Sequence, residues 1–201
     1  MKSGNFGIIY GAQEAKADQT YRVPGAYKKI QKRFPKIAAL SERMMRHADR
    51  YGFVNTIPDK EVNPRRGYPL LCTRTEYGKI LPTVPLNYHV QSTAMWWTCV
   101  GMVECQKQLD AWREEDGFDG HIALQVHDEL VFDFPLSVSP PEIDWERQKK
   151  AKLFRLRGES NLWRARALQR IMEGAGDRIN VPTPCGLEYH RSNWGEGVTL
   201  T

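Results

Sequence analysis

The sequence predicts an α+β fold, with helices in its N-terminal part and an antiparallel sheet in its C-terminal part. Two helical patterns and one strand pattern support this prediction: 36–51 and 87–114 are amphipathic, and 121–134 alternates. Apolar side chains recur every three to four residues in the first two segments and every second residue in the third. With 41% hydrophobic residues, the 201-residue chain has enough apolar material for one sizeable core or two lobes.

Composition excludes several classes of protein. No apolar run approaches the ~20 residues that cross a bilayer, and the N-terminus lacks the apolar stretch of a signal peptide. The four cysteines (Cys72, Cys99, Cys105, Cys185) form no CxxC pair, so we expect reduced thiols and a cytoplasmic location. The formal net charge of +5 permits a polyanionic partner without requiring one.

The N-terminal segment 2–17 is open to two interpretations. Its β-branched and aromatic residues suit a short strand, whereas Lys2, Phe6 and Tyr10 share one helix face at i, i+4 and i+8. On that face a lysine and two rings are suited to a triphosphate and a stacked base. The alternative is that both rings belong to the core and Lys2 extends into solvent.

The segment 36–51 is a clearer helix, since Pro35 stands at its start and Gly52 follows its end. We expect a short extended piece after Gly52 that ends before Pro58. The following residues, 58–80, are rich in Pro, Gly and Arg and are predicted to be a loop.

The second strong helix is predicted over about 87–114. Asn87 and Gln91 lie one turn apart near its start. Their amides suit minor-groove acceptors of a nucleic acid, or alternatively Asn87 caps the helix and Gln91 is solvated. The predicted buried face consists of Val90, Ala94, Trp97, Gly101, Cys105 and Leu109.

The segment 121–134 is the most strand-like, and a break at His127-Asp128-Glu129 divides it into a predicted hairpin. Two adjacent carboxylates repel one another, and a divalent cation would relieve that repulsion. The alternative is an ordinary solvated turn. The predicted apolar faces are Ile122, Leu124 and Val126 before the break and Leu130, Phe132 and Phe134 after it.

Two further segments complete the chain. The basic run in 142–157 is typical of a solvated helix face, with phosphate contact as the alternative. A last helix is predicted over about 161–173, ended by Gly174 and Gly176.

The order of these pieces resembles a known family. KSGNFGIIYG (2–11) resembles motif B of family-A DNA polymerases, whose pattern is K-x-x-x-F/Y-G-x-x-Y-G, and QVHDELVF (125–132) resembles their motif C. LNYHVQSTA (86–94) is similar to the helix that precedes motif C, and PTPCGLEYHRSNWGEG (182–197) is similar to phage members.

The resemblance implies a partial right-hand polymerase fold, with fingers at 1–80 and the C-terminal part of the palm, including the motif C hairpin, at 81–201. It also implies roles for the N-terminal motif. Lys2 would contact the triphosphate of the incoming nucleotide in catalysis, and Phe6 would stack near its base and sugar. Tyr10 would help to seat the templating base, and Gly11 would leave room beside it.

The second motif and its preceding helix would supply the remaining site residues. By the same resemblance, Asn87 and Gln91 would touch the minor groove of the primer–template, and His127 would lie against the primer terminus. Asp128 would ligate the catalytic metals, with Glu129 assisting.

The activity implied is template-dependent transfer of a nucleotide from a dNTP to a primer 3′-hydroxyl, with two Mg²⁺ ions as cofactors. The strand with the family's other metal-binding aspartate, motif A, is not found in these residues, and neither is the thumb. We therefore expect the chain alone to be inactive. Motif A and the thumb would belong either to a separate N-terminal polymerase fragment or to a longer form of this protein, in the host cytoplasm if a phage encodes it. The alternative is a non-catalytic remnant that binds primer–template, or a subunit of a split polymerase.

Overall fold

The computed structural model describes residues 14, 18, 19, 22–135, 161–190 and 197–199. The chain divides into two compact units, Met1–Trp96 and Trp97–Thr201. None of the described helices combines the length and the hydropathy that a membrane crossing requires.

The first unit is built on two helices and one small antiparallel sheet. Its described elements are α1 (Ala26–Arg33), α2 (Pro35–Tyr51), β1 (Phe53–Asn55), β2 (Pro69–Leu71) and the N-terminal part of α3 (Val84–Asp116). The predicted helix 36–51 is confirmed as α2. Its end is set by Gly52, which has a φ of +81° and donates its N–H to the carbonyl of Ala48 at 2.7 Å.

The sheet of the first unit pairs β1 with β2, with Val54 opposite Leu70. The segment 58–80 was predicted to be a loop, so β2 is a difference between sequence and structure. It was not recognisable because three residues are too few for a period, and the pairing partner lies more than ten residues upstream. The pairing places the buried Val54 against a core formed with Ala48, Cys72 and Ile80.

A buried carboxylate fixes the connection between β1 and β2. Asp59 has no exposed surface and accepts hydrogen bonds from the indole Nε1 of Trp96 at 2.9 Å and from the amides of Glu61 and Val62 at 2.9 and 3.0 Å. A buried carboxylate with several donors is stable because each lone pair that leaves water is satisfied.

Helix α3 begins three residues earlier and ends two residues later than predicted. The predicted buried positions Gly101, Cys105 and Leu109 are confirmed, and Trp97 is partly buried against the core of the second unit. Val90 and Ala94 were predicted to be buried and are exposed.

The reason for this difference is that the first unit buries another face of α3. There Leu86 and Thr93 are buried, and the hydroxyl of Thr93 accepts the amide of Ile57 at 2.9 Å. A single apolar stripe drawn along the whole helix therefore misplaces its N-terminal part.

The second unit contains the rest of α3, a hairpin and a further helix. Its other described elements are β3 (His121–Val126), β4 (Glu129–Asp133), α4 (Leu162–Ala175), a 3₁₀ helix (Gly176–Ile179), β5 (Glu188–Tyr189) and β6 (Val198–Thr199). Helix α4 confirms the last predicted helix. Helices and two-stranded antiparallel sheets together confirm the predicted α+β class.

The core of the second unit lies between α3 and α4. A Cβ added to Gly101 would lie 2.4 Å from the Sδ atom of Met172, so the two helices approach closely at this glycine. The indole Nε1 of Trp97 donates to the carbonyl of Met172 at 3.0 Å. The fully or largely buried core residues are Cys105, Leu109, Trp112, Phe118, Leu168 and Met172.

The β3–β4 hairpin packs on this core, but its first strand is irregular. Ile122 lies opposite Phe132 and Leu124 lies opposite Val131, so Ala123 is an extra residue. This bulge makes the prediction of one face for Ile122, Leu124 and Val126 wrong: Ile122 packs on the core, whereas Leu124 is 48% exposed. The predicted face of β4 is confirmed by the packing of Leu130, Phe132 and Phe134 on the core.

Candidate active site

The predicted hairpin turn is present and carries the two adjacent carboxylates. Val126 pairs with Glu129, so His127 and Asp128 form a two-residue turn and Glu129 is the first residue of β4. The side-chain amide of Gln125 donates to the carbonyl of His127 at 2.5 Å and holds the turn from its own strand. Both acidic residues are exposed. Two carboxylates therefore face solvent at this turn, whose position is fixed by the pairing of β3 with β4.

The backbone of His127 is unusual, with a φ of +53°. In two-residue hairpin turns with a positive φ at the first central position, glycine is the residue with the lowest steric cost. A side chain with a Cβ costs about 1–2 kcal/mol in the left-handed region. The chain thus keeps an imidazole at a position where glycine would fit the backbone better.

Asp128 and Glu129 line a cleft of about 660 Å³ in the second unit. The cleft lies between β4, α4 and the segment 184–190. Its other polar and thiol-bearing lining residues include Gln169, Cys185 and His190. No role was predicted for these three residues. The one sequence signal was their position: Gln169 lies on the last predicted helix, and Cys185 and His190 lie in the segment 182–197, which is similar to phage members of the family.

The tail is attached to α4 by hydrogen bonds around Cys185. Gln169 donates from Nε2 to the carbonyl of Cys185 at 2.5 Å, and Oε1 of Glu173 accepts the amide of Cys185 at 3.1 Å. The hydroxyl of Thr183 adds a bond to the carbonyl of Glu173 at 3.0 Å. These contacts set the thiol of Cys185 at the wall of the cleft.

Burial raises the pKa of the Cys185 thiol, and the negative charges of Glu173 and Asp128 raise the pKa further. Burial is also the main reason that the pKa of Cys105 rises to about 12. Both thiols are therefore protonated at neutral pH and unsuited to nucleophilic attack. Asp128 and Cys185 both line the cleft, so the carboxylate and the thiol face the same space.

Asn87 and Gln91 belong to the first unit, on α3. Because α3 begins at Val84, Asn87 lies inside the first turn, and the alternative that it caps the helix is wrong. Its Oδ1 atom is buried and has no hydrogen-bond partner among the described residues. Gln91, one turn later, is exposed.

Several predicted site residues lie outside the described residues. The choice between helix and strand for 2–17 therefore stays a prediction, as does the role of the basic run in 142–157. The predicted nucleotide-binding residues in this group are Lys2, Phe6, Tyr10 and Gly11.

Residues 1–145 match the family described as DNA polymerase family A. The chain belongs to this family. The match contains both segments that resemble motifs B and C, and therefore the His127–Asp128 turn and both amide residues of α3.

The chain is also similar in sequence to individual DNA polymerases. The chain is 31% identical over 142 residues to "DNA polymerase I, thermostable" of Thermus aquaticus and 27% identical over 158 residues to "DNA polymerase" of Mycobacterium phage D29. These alignments cover 67% and 76% of this chain but 16% and 22% of the two relatives. The family-A chain thus spans less than a quarter of the length of these relatives.

A solved structure shares the fold. The POL domain of Pol1 from M. smegmatis, in a complex with DNA primer-template and dNTP, aligns with a TM-score of 0.56 and 20% identity. The alignment covers 87% of this chain and 26% of the other. At this identity the likeness concerns the fold, and it confirms the predicted partial polymerase architecture.

Proposed function

We propose that this family-A chain supplies the fingers (1–80) and the C-terminal part of the palm (81–201) of a DNA-directed DNA polymerase. The reaction is template-dependent transfer of a nucleotide from a dNTP to the 3′-hydroxyl of a DNA primer. The observation that carries the proposal is the His127–Asp128 turn, which exposes two adjacent carboxylates at the edge of a cleft. The turn lies within the residues that match family A, in the segment that resembles motif C.

The carboxylates fit part of a magnesium site. Mg²⁺ takes oxygen ligands and is usually held by one or two carboxylates together with substrate phosphates and water. Asp128 and Glu129 offer two carboxylates with solvent access, whereas the described residues contain no group of three His, Cys, Asp or Glu that could hold a metal. Asp128 would be the main ligand with Glu129 beside it, and bound Mg²⁺ would neutralise charge on the phosphates during transfer.

The other residues of the cleft shape the space around these carboxylates. The Cys185 thiol is neutral at working pH, because its pKa is raised by burial and by the neighbouring acids, so it adds no charge there. His127 is held in a left-handed conformation beside Asp128, which supports a contact of its imidazole with the primer terminus.

Substrate binding uses residues from both motifs. Asn87 and Gln91 donate amide hydrogens to acceptors in the minor groove of the primer–template, where all base pairs offer similar acceptors. Lys2 binds the triphosphate, and Phe6, Tyr10 and Gly11 receive the nascent base pair.

The chain is proposed to act together with a motif A strand and a thumb, either in the same polypeptide or in a separate one, in the cytoplasm. One pair of neighbouring carboxylates cannot hold two Mg²⁺ ions in a working geometry, so the motif A aspartate must come from elsewhere. A separate fragment with motif A and the thumb would complete the site.

The test is complementation. The purified chain is mixed with a fragment of a family-A polymerase that carries motif A and the thumb, and extension of a labelled primer is followed with Mg²⁺. We expect no extension by the chain alone, extension by the mixture, and none with Asp128→Asn. Asp119→Asn is the matched control, because Asp119 is an exposed carboxylate two residues before β3 begins.

Each outcome has a distinct meaning. Extension by the chain alone would contradict the incomplete site, and extension by the Asp128→Asn mixture would contradict the role of Asp128. Salt-dependent binding of primer–template without extension in any mixture would identify the non-catalytic remnant instead.

A further inference from the structure

A second groove, of about 680 Å³, lies in the first unit between the end of α2 and the connection from β1 to β2. No role is assigned to it by the polymerase motifs. Its lining includes three aromatic rings, two amides and one guanidinium: His47, Tyr51, Phe53, Asn55, Asn63 and Arg66.

The aromatic wall is held in place by its own ring contacts. The ring centroids of His47 and Tyr51 lie 4.7 Å apart, and those of His47 and Phe53 lie 5.1 Å apart at 84°. Gly52, with a φ of +81°, turns the chain between the two larger rings, which remain 6.2 Å apart. Tyr51 is 52% exposed, with the guanidinium of Arg50 5.2 Å from its ring centroid, so this wall offers an accessible aromatic surface.

The opposite wall carries the positive charge. Arg66 is exposed and stands in a turn that Asn63 closes by donating from Nδ2 to the carbonyl of Gly67 at 2.9 Å. Gly67 has a φ of +70°, and a Cβ there would lie 2.3 Å from the carbonyl oxygen of Thr56. The backbone that carries Arg66 therefore has a fixed course beside the rings.

The unit that contains the groove is strongly basic. Residues 22–96 contain 14 Lys and Arg against five Asp and Glu, a formal charge of +9, although the whole chain carries +5. Most of the chain's excess positive charge is thus concentrated in the unit that contains the groove, which favours a polyanionic ligand.

We propose that this groove binds a nucleotide of a single-stranded nucleic acid, with the base stacked on Tyr51 and Phe53 and a phosphate paired with Arg66. Aromatic platforms beside a positive groove bind single strands, because an unpaired base has a free ring face. A duplex hides those faces. The inference rests on the proposed function only in taking a nucleic acid as ligand, and it needs neither the carboxylates nor motif A and the thumb.

The test is binding of a fluorescent oligothymidylate of about 12 nucleotides to the full chain, measured by anisotropy over a range of salt concentrations. Tyr51→Ala should weaken binding about 5- to 150-fold, and Tyr51→Phe should restore it because the ring face is kept. Tyr77→Ala is the matched control: Tyr77 is an 82% exposed aromatic residue of the same unit outside the groove, and binding should change less than about twofold.

The charge contact is tested separately through the salt dependence. Arg66→Gln should reduce the slope of log K against log salt by about 0.7, the value for one phosphate contact to a single strand. Arg65→Gln removes the same charge from the neighbouring residue and should reduce the slope less. Equal effects at both positions would show a diffuse basic surface and overturn the assigned phosphate contact.

Two results would overturn the proposal that the groove binds a single strand. One is unchanged affinity of Tyr51→Ala, and the other is equal competition by a duplex of the same length. Loss of extension in every complementation mixture with intact, Tyr51-dependent binding would reject the polymerase activity while retaining the groove.

Discussion

Replacing Gly67 by alanine tests how the β1–β2 connection is built. Gly67 has a φ of +70°, and an added Cβ would lie 2.3 Å from the carbonyl oxygen of Thr56 and 2.9 Å from its Oγ1. Both Thr56 and Tyr68 take part in the local pairing: the amide of Thr56 donates to the carbonyl of Tyr68, and the amide of Tyr68 donates to Oγ1 of Thr56, each at 2.9 Å.

The expected cost has two parts. A Cβ in the left-handed region costs about 1–2 kcal/mol. The contact with Thr56 is a backbone contact that no side-chain rotation relieves, so the chain must shift and weaken one or both hydrogen bonds, at about 1 kcal/mol each. We expect Gly67→Ala to destabilise the first unit by about 2–4 kcal/mol.

Gly78→Ala is the matched control. Its φ of +73° is nearly the same, but an added Cβ would meet no atom within 4 Å. The control should show the conformational cost alone, about 1–2 kcal/mol, and the effect of alanine on the unfolded chain is the same at both sites.

Native-state hydrogen exchange at the amides of Thr56 and Cys72 gives the free energy of opening in this unit. Both amides are bonded within it, to the carbonyls of Tyr68 and Gly52. Equal destabilisation by the two glycine substitutions would refute the argument, because the steric part of the cost would then be absent.

Three further outcomes are expected. Leu109→Ala should lower the free energy of unfolding by about 2–5 kcal/mol because Leu109 has no exposed surface, whereas Leu124→Ala, at a 48% exposed position, should cost less than about 1 kcal/mol in denaturant titrations. Asp128→Asn should speed alkylation of Cys185 at pH 8, as measured by mass spectrometry, because removing that charge lowers the thiol pKa; an unchanged rate would place Asp128 out of electrostatic reach. Asp18 accepts hydrogen bonds from the amides of Tyr27 and Gly25, which lower its pKa, so its stabilisation of α1 is present above its ordinary value of 3.8 and lost as the pH falls through the folded value. Protection of the Tyr27 amide from hydrogen exchange, relative to the intrinsic rate at each pH, should fall in that range, and Asp18→Asn should remove this pH dependence.

The parts of the fold that follow from neighbouring residues were predictable. Pro35 and Gly52 marked the ends of α2, and the break at His127-Asp128 marked the hairpin turn. The bulge at Ala123 was not predictable, because the sequence alternates regularly through it and only pairing with β4 reveals the extra residue.

The same distinction applies to the candidate site. Asp128 and Glu129 were recognisable because two adjacent acids interrupt a strand pattern within a known motif. Cys185 and Gln169 were not, because they meet only when the tail returns to α4, through hydrogen bonds between residues with no common spacing. Contacts of this kind depend on tertiary packing and leave no local pattern.

The exposed carboxylates are positioned by apolar residues. Asp128 and Glu129 face solvent, and exposed charges hold a fixed geometry only weakly by themselves. The turn is instead fixed by β4, whose Leu130 and Phe132 pack on the core of α3 and α4, one and three residues after Glu129. The rings of Phe132 and Phe134 are 6.1 Å apart, and Phe134 meets Phe118 at 5.2 Å. Because these side chains determine where β4 lies, we expect a cavity in this core to displace the carboxylates without altering any charged group.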